Sequence, residues 1–190
     1  MNFASTILFV FLPSLSPGQV QPEMNVIYGE GYIFTISTPK GWINDKEYAS
    51  SIGLISFFYS KTDLDKEQKS HMYAMGYDKD EDNKDLNSFV NGDIESFKKK
   101  YPDLIYEKIE IGKTAGIIDA TMLSFSKLSD RFKEEVIYLE TDLSILVFVF
   151  SAYSKSDFEN YQSTFDAFMS SFNYRGSNPK PFLEWQKNNK

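Results

Sequence analysis

The sequence predicts an α+β fold: a largely antiparallel β-sheet of about six to seven strands with two main helices packed on it. Three observations predict it. Seven runs of the chain have the period-two alternation or the aromatic and β-branched content of strands. Two segments carry apolar stripes at helical spacing. The last four strand-like runs follow one another through connections so short that neighbours must be antiparallel.

Taken in order, Phe3 to Leu12 (FASTILFVFL) is an uncharged apolar run of the length of a signal-peptide core and too short to span a bilayer. Ser16 and Gly18 supply the small residues for cleavage before Gln19, although Met1-Asn2 brings no basic residue. The expected organisation is a signal peptide over 1–18, one α+β domain over 19–176 and a loosely held tail over 177–190. Strands are expected at Tyr32–Thr38, ending in the turn Pro39-Lys40-Gly41-Trp42, and at Leu54–Ser60 and His71–Tyr77. A helix follows: Leu86, Phe89, Val90, Ile94, Phe97 and Tyr101 share one face, Asp85 is its N-cap and Pro102 stops it.

The meander then runs through Leu104–Ile111, Gly116–Ser126, Lys133–Glu140 and Ser144–Tyr153. The last of these is apolar on both faces, which places it centrally under cover on both sides. A closing helix is expected with Ser156 as N-cap, Glu159 completing a capping box, a Phe158/Tyr161/Phe165/Phe168/Met169/Phe172 stripe and Gly176 as its stop. This order resembles PsbP-like domains over about Asn25 to Tyr174: the opening strand ending in Pro39-Lys40-Gly41-Trp42, the middle helix, the meander with its Gly112–Ala115 turn, and the aromatic last helix. The resemblance implies a PsbP-like α/β sandwich and a scaffold, assembly or accessory role, and it supplies no catalytic residues to carry over.

Composition narrows the function. A net charge of −7 and pI near 4.8 repel phosphate backbones, so nucleic acid is not expected as a partner. Lys98-Lys99-Lys100 ends a helix, where cations meet its dipole. Without cysteine there is no disulfide, thiolate zinc site, cysteine nucleophile or lipid anchor on a cysteine. The single histidine, His71, has no G-x-S-x-G serine to serve and reads as structural. Gly112-Lys113-Thr114 has Glu107 where a phosphate loop needs glycine, and Gly29-Glu30-Gly31 lacks the third glycine of a dinucleotide site. Asp78, Asp80 and Asp82 match the first ligand positions of a calcium loop, but Asn83 and Phe89 stand where glycine and glutamate are required. Glu134-Glu135 and Glu159 read as strand-edge and capping residues.

The expectation is therefore an exported, non-catalytic binding or accessory protein of the bacterial envelope, periplasmic or secreted, and a monomer. It needs no cofactor, and its partner is a protein or small molecule. Trp42 and Trp185 are the candidate partner-binding residues, with Trp42 also suited to plugging the core edge. Small-ligand or hard-cation (calcium) binding by the acidic loop 78–85 is the alternative, and an uncharacterised hydrolase built on His71 is the third.

Overall fold

The computed structural model describes residues 22–81, 83–112 and 116–189. The predicted signal peptide, Asp82 and the tip of the Gly112–Ala115 turn lie outside them. The strands are β1 (Met24–Tyr28), β2 (Ile33–Ser37), β3 (Trp42–Asn44), β4 (Phe57–Ser60), β5 (His71–Asp78), β6 (Ile105–Glu110), β7 (Asp119–Ser126), β8 (Lys133–Glu140), β9 (Ser144–Ala152) and β10 (Asn173–Gly176). The helices are α1 (Lys46–Ser51), α2 (Leu86–Lys100), α3 (Lys155–Ser170) and α4 (Lys180–Asn188). Seven strands form one sheet in the order β3-β4-β5-β9-β8-β7-β6, and β1-β2-β10 form a second. All of these pairings are antiparallel.

The predicted meander is the half β6-β7-β8-β9 of the large sheet. β9 is its middle strand, and every one of its residues is buried. Leu146, Phe148 and Phe150 face one side, where β2 contributes Phe34 and Ile36 and α3 contributes Phe165 and Phe168. Ile145, Val147 and Val149 face the other, where α2 lays Leu86, Val90 and Ile94 against β7 and β8. Continuous apolarity in one strand thus corresponds to a core on each face. At the far edge every residue of β6 is exposed.

Tyr32 joins the two sheets, and two glycines make room for its ring. A Cβ on Gly76, in the middle of β5, would lie 2.5 Å from the Tyr32 ring, and one on Gly29 would lie 2.3 Å from it. The Tyr32 hydroxyl donates to the Gly76 carbonyl at 3.0 Å. Gly29-Glu30-Gly31 is therefore a turn shaped around Tyr32.

Several boundaries differ from expectation. The short strands β1, β3 and β10 emerge from strand pairing rather than from periodicity, and the helices α1 and α4 add to the two expected. The N-cap of α3 is Ser154, not Ser156: its Oγ accepts from the Asp157 backbone N–H at 3.0 Å, and Ser156 lies inside the first turn. Glu159 closes no capping box and pairs with Lys155 at 3.6 Å. Gly176 does not stop α3, which ends at Ser170 so that Phe172 can turn back onto Phe34 and Phe148, at 5.5 and 5.0 Å. The tail expected to be loosely held carries α4, which has no buried residue and rests Phe182 on Tyr28 at 6.2 Å. Glu134 and Glu135 are not at a sheet edge. They are buried on β8, on opposite faces, with Glu135 accepting from Gln162 at 2.9 Å.

Candidate ligand groove

The α2 face of the large sheet is only partly covered. α2 lies over β7, β8 and β9, and α1 packs on β4. Between them the side chains of β4 and β5 floor a groove of about 670 Å³. Phe57 and Tyr59 come from β4; His71, Tyr73 and Met75 come from β5. Register makes them one surface, since Phe57 opposes Tyr73 and Tyr59 opposes His71. Asp45 and Tyr48 of the α1 entry form one wall, and Arg131 and Tyr153 line the other side.

The rings form a continuous stacked array. Phe57 stacks on His71 at 4.7 Å and on Tyr73 at 6.4 Å, and Tyr48 meets Phe57 edge-on at 4.8 Å. The Lys69 ammonium sits 4.7 Å above Tyr59. His71 Nδ1 lies 3.0 Å from the Lys69 carbonyl, which can only accept, so Nδ1 carries the proton and Nε2 is left as an acceptor. Burial among the rings, with the Arg131 charge nearby, lowers the His71 pKa to about 4. The imidazole is therefore neutral at physiological pH.

Beside the floor, on the same face of the sheet, runs a polar row. His71 on β5 opposes Ser151 on β9, and Ser151 opposes Glu134 on β8. The Ser151 hydroxyl and the Arg131 guanidinium (Nη1) both donate to Glu134 Oε2. Arg131 also donates from Nε and Nη2 to the two oxygens of Asp130, at 3.1 and 3.2 Å. Those bonds, with one from the Tyr101 hydroxyl at 2.8 Å, hold the Asp130 carboxyl well below the usual range. This row brings a histidine, a serine and a carboxylate together without making a triad. Ser151 is fully buried with its hydroxyl proton on Glu134, and the His71 Nδ1 proton goes to a backbone carbonyl.

Tyr73 and Met75 also line a second, smaller chamber of about 100 Å³ under α2. Its wall on α2 is Phe89, Asp93 and Phe97, one turn apart, and its sheet side includes Glu134, Val147 and Val149. The Tyr138 hydroxyl donates to Asp93 Oδ2. Burial raises the pKa of both Asp93 and Glu134, against the hydrogen bond from Tyr138 and the charge of Arg131 respectively.

The residues singled out by sequence fall elsewhere. Trp42 is 5% exposed and packs edge-on against Tyr161 at 5.1 Å, in the core; Trp185 on α4 is 60% exposed. Asp78 Oδ1 accepts from the Gly31 N–H at 2.9 Å and the Ser144 hydroxyl at 3.0 Å, a brace between strands. Asp80 accepts from the Asn83 N–H at 2.7 Å, and Asp82 lies outside the described residues. Among the described residues no three His, Asp or Glu side chains gather as a metal site. Sequence reading missed Tyr73, Asp93 and Arg131. The one signal was Asp93 itself, a charge on the apolar helix face midway between Phe89 and Phe97.

A large antiparallel sheet, a small second sheet and α3 on one face and α2 on the other define an α+β sandwich of the PsbP type. A solved structure that shares it is the solution structure of cyanobacterial PsbP (CyanoP) from Synechocystis sp. PCC 6803, with a TM-score of 0.52 over 85% of this chain and 99% of that one. At 19% identity the likeness is one of fold. No protein-family model matches the chain, and no curated protein matches its sequence. Among the described residues no helix is long and apolar enough to cross a membrane.

Proposed function

We propose that this chain is an exported, non-catalytic binding protein of the bacterial envelope, and that its ligand site is the aromatic groove between α1 and β5. One observation carries the reading. The groove leaves a stacked set of rings facing an open volume, while the hydroxyl and guanidinium beside it are spent on internal partners. Such a surface holds a molecule by ring contacts, and the serine hydroxyl beside it is not available as a nucleophile. The accessory character of the reading is drawn from the PsbP-like fold alone, and export from the apolar segment Phe3–Leu12 with its small residues before Gln19.

Nuclear magnetic resonance of the labelled protein against a library of small organic fragments tests the site. Shifts should concentrate on Phe57, Tyr59, His71 and Tyr73; binding spread elsewhere, or none, rejects the groove. Turnover of activated esters that disappears in His71→Ala would reject the non-catalytic part. Mass spectrometry of envelope-derived protein should find Gln19 at the N-terminus, and a chain starting at Met1 would reject cleavage.

A further inference from the structure

We infer that the chamber under α2 receives the primary ammonium head of a small free amine, whose apolar tail lies over Tyr73 and Met75 in the groove. The inference rests on the groove being the ligand site. It adds the chemical class of the ligand.

The chamber offers unmatched acceptors. Tyr138 occupies Oδ2 of Asp93, and Arg131 with Ser151 occupies Oε2 of Glu134. Oδ1 of Asp93, Oε1 of Glu134 and the Tyr73 hydroxyl carry no hydrogen bond among the described residues. Glu134 is 4% exposed and lines the chamber. Two carboxylates and a hydroxyl around one small space match the three donors of an ammonium group.

The surroundings favour the same charge. Tyr73, Tyr77, Phe89 and Phe97 line the chamber, with Tyr77 and Phe89 at 4.9 Å, and ring faces attract cations. Arg131 is shared between Asp130 and Glu134 Oε2, so the chamber acid whose charge meets no cation among the described residues is Asp93, which is bonded by the Tyr138 hydroxyl alone. Neutral His71 adds no repelling charge at the groove floor. The burial that raises both carboxyl pKa values is the cost a bound cation would offset. A space of about 100 Å³ equals roughly three waters at ~30 Å³ each, enough for an ammonium and a few methylenes. The adjoining groove holds the remainder.

Calorimetric and resonance titrations of the full chain at neutral pH with n-hexylammonium, 1-hexanol and hexanoate test this. Hexylammonium should bind at least about tenfold more tightly than hexanol, with shifts at Tyr73, Met75, Phe89 and Phe97, and hexanoate should bind least. Asp93→Asn keeps an acceptor for Tyr138 and should remove most of the preference for hexylammonium over hexanol. Equal binding of hexylammonium and hexanol overturns the amine while leaving the groove standing. A lysine-containing blocked tripeptide that outcompetes hexylammonium overturns a free amine in favour of a partner's side chain. Absence of any groove shift overturns both the amine and the groove. The comparison of the three probes on the unmodified chain decides the matter whether or not the variant folds.

Discussion

His71 offers a test of the groove's interior that no other residue can confuse, because it is the only histidine in the chain. Its pKa falls from the ordinary 6.5 to about 4 through burial first and the Arg131 charge second. Between those values the unfolded chain binds a proton that the folded chain does not, so stability rises with pH and is lost as pH drops below 6.5. The penalty at pH 5 relative to pH 7 comes to about 2 kcal/mol. Other groups around the ring are Lys69, Tyr73, Tyr153, Asp45 and Glu67 of the groove, with Glu134 two strands away beyond Ser151. Glu134, with its raised pKa, acts in the opposite sense, favouring the folded state below its folded pKa and losing that contribution as pH rises. The comparison is therefore between the wild type and His71→Phe, in which Glu134 is retained and an apolar ring keeps the stack on Phe57. Urea denaturation of both at pH 5 and pH 7 should show the wild type losing about 2 kcal/mol more than the variant. The imidazole Hε1 resonance should titrate with a midpoint near pH 4. A midpoint near 6.5, or parallel pH dependence of the two chains, would refute a dry groove floor.

Further outcomes follow from the packing. Gly76→Ala should destabilise the domain by about 2 kcal/mol, because its Cβ would sit 2.5 Å from the Tyr32 ring, and Tyr32→Leu in the same chain should recover part of that loss in urea titrations. Asp78→Ala removes acceptors at 2.9 and 3.0 Å from the Gly31 N–H and the Ser144 hydroxyl, and should cost about 2 kcal/mol with or without calcium in the buffer. A calcium-dependent thermal shift would revive the loop 78–85 as a cation site. Iodide should quench Trp185 and spare Trp42, so Trp185→Phe should leave only shielded emission; Trp42→Ala should cost about 3–5 kcal/mol by emptying the space beside Tyr161.

The strands of the large sheet were legible where burial imposes a pattern. Ile145 to Phe150 could be placed at the centre because both faces are apolar, and α2 could be placed because its stripe, its Asp85 cap on the Ser88 N–H at 2.8 Å and Pro102 agree. β1, β3 and β10 were not legible. Each is three to five residues long, and each becomes a strand through the partner it finds, as Trp42 does opposite Ser60. Ser154 and Ser156 offer the same capping chemistry two residues apart, and the choice between them is made by how the chain leaves β9. The groove escaped notice for a related reason. Alternation marks Tyr73 and Met75 as lying on one face of β5, but it cannot say that the gap between α1 and α2 leaves that face open. Glu134 stands in the parity of Val136 and Tyr138, so its burial could have been read from the strand. Its partner Arg131 lies in the preceding loop and could not.

The exposed outer strand β6 has a consequence for how copies of the chain meet. An uncovered edge carrying Ile105, Tyr106 and Ile109 is a template on which a second molecule can add its own strand. A symmetric antiparallel pairing of two such edges must set residues of like parity opposite one another. The two registers that overlap most centre on Glu107 against Glu107 or on Lys108 against Lys108. Each brings like charges face to face at the point of closest approach, which is unfavourable. Replacing the pair by Glu107→Thr and Lys108→Thr would remove that repulsion and turn a self-avoiding border into an adhesive one.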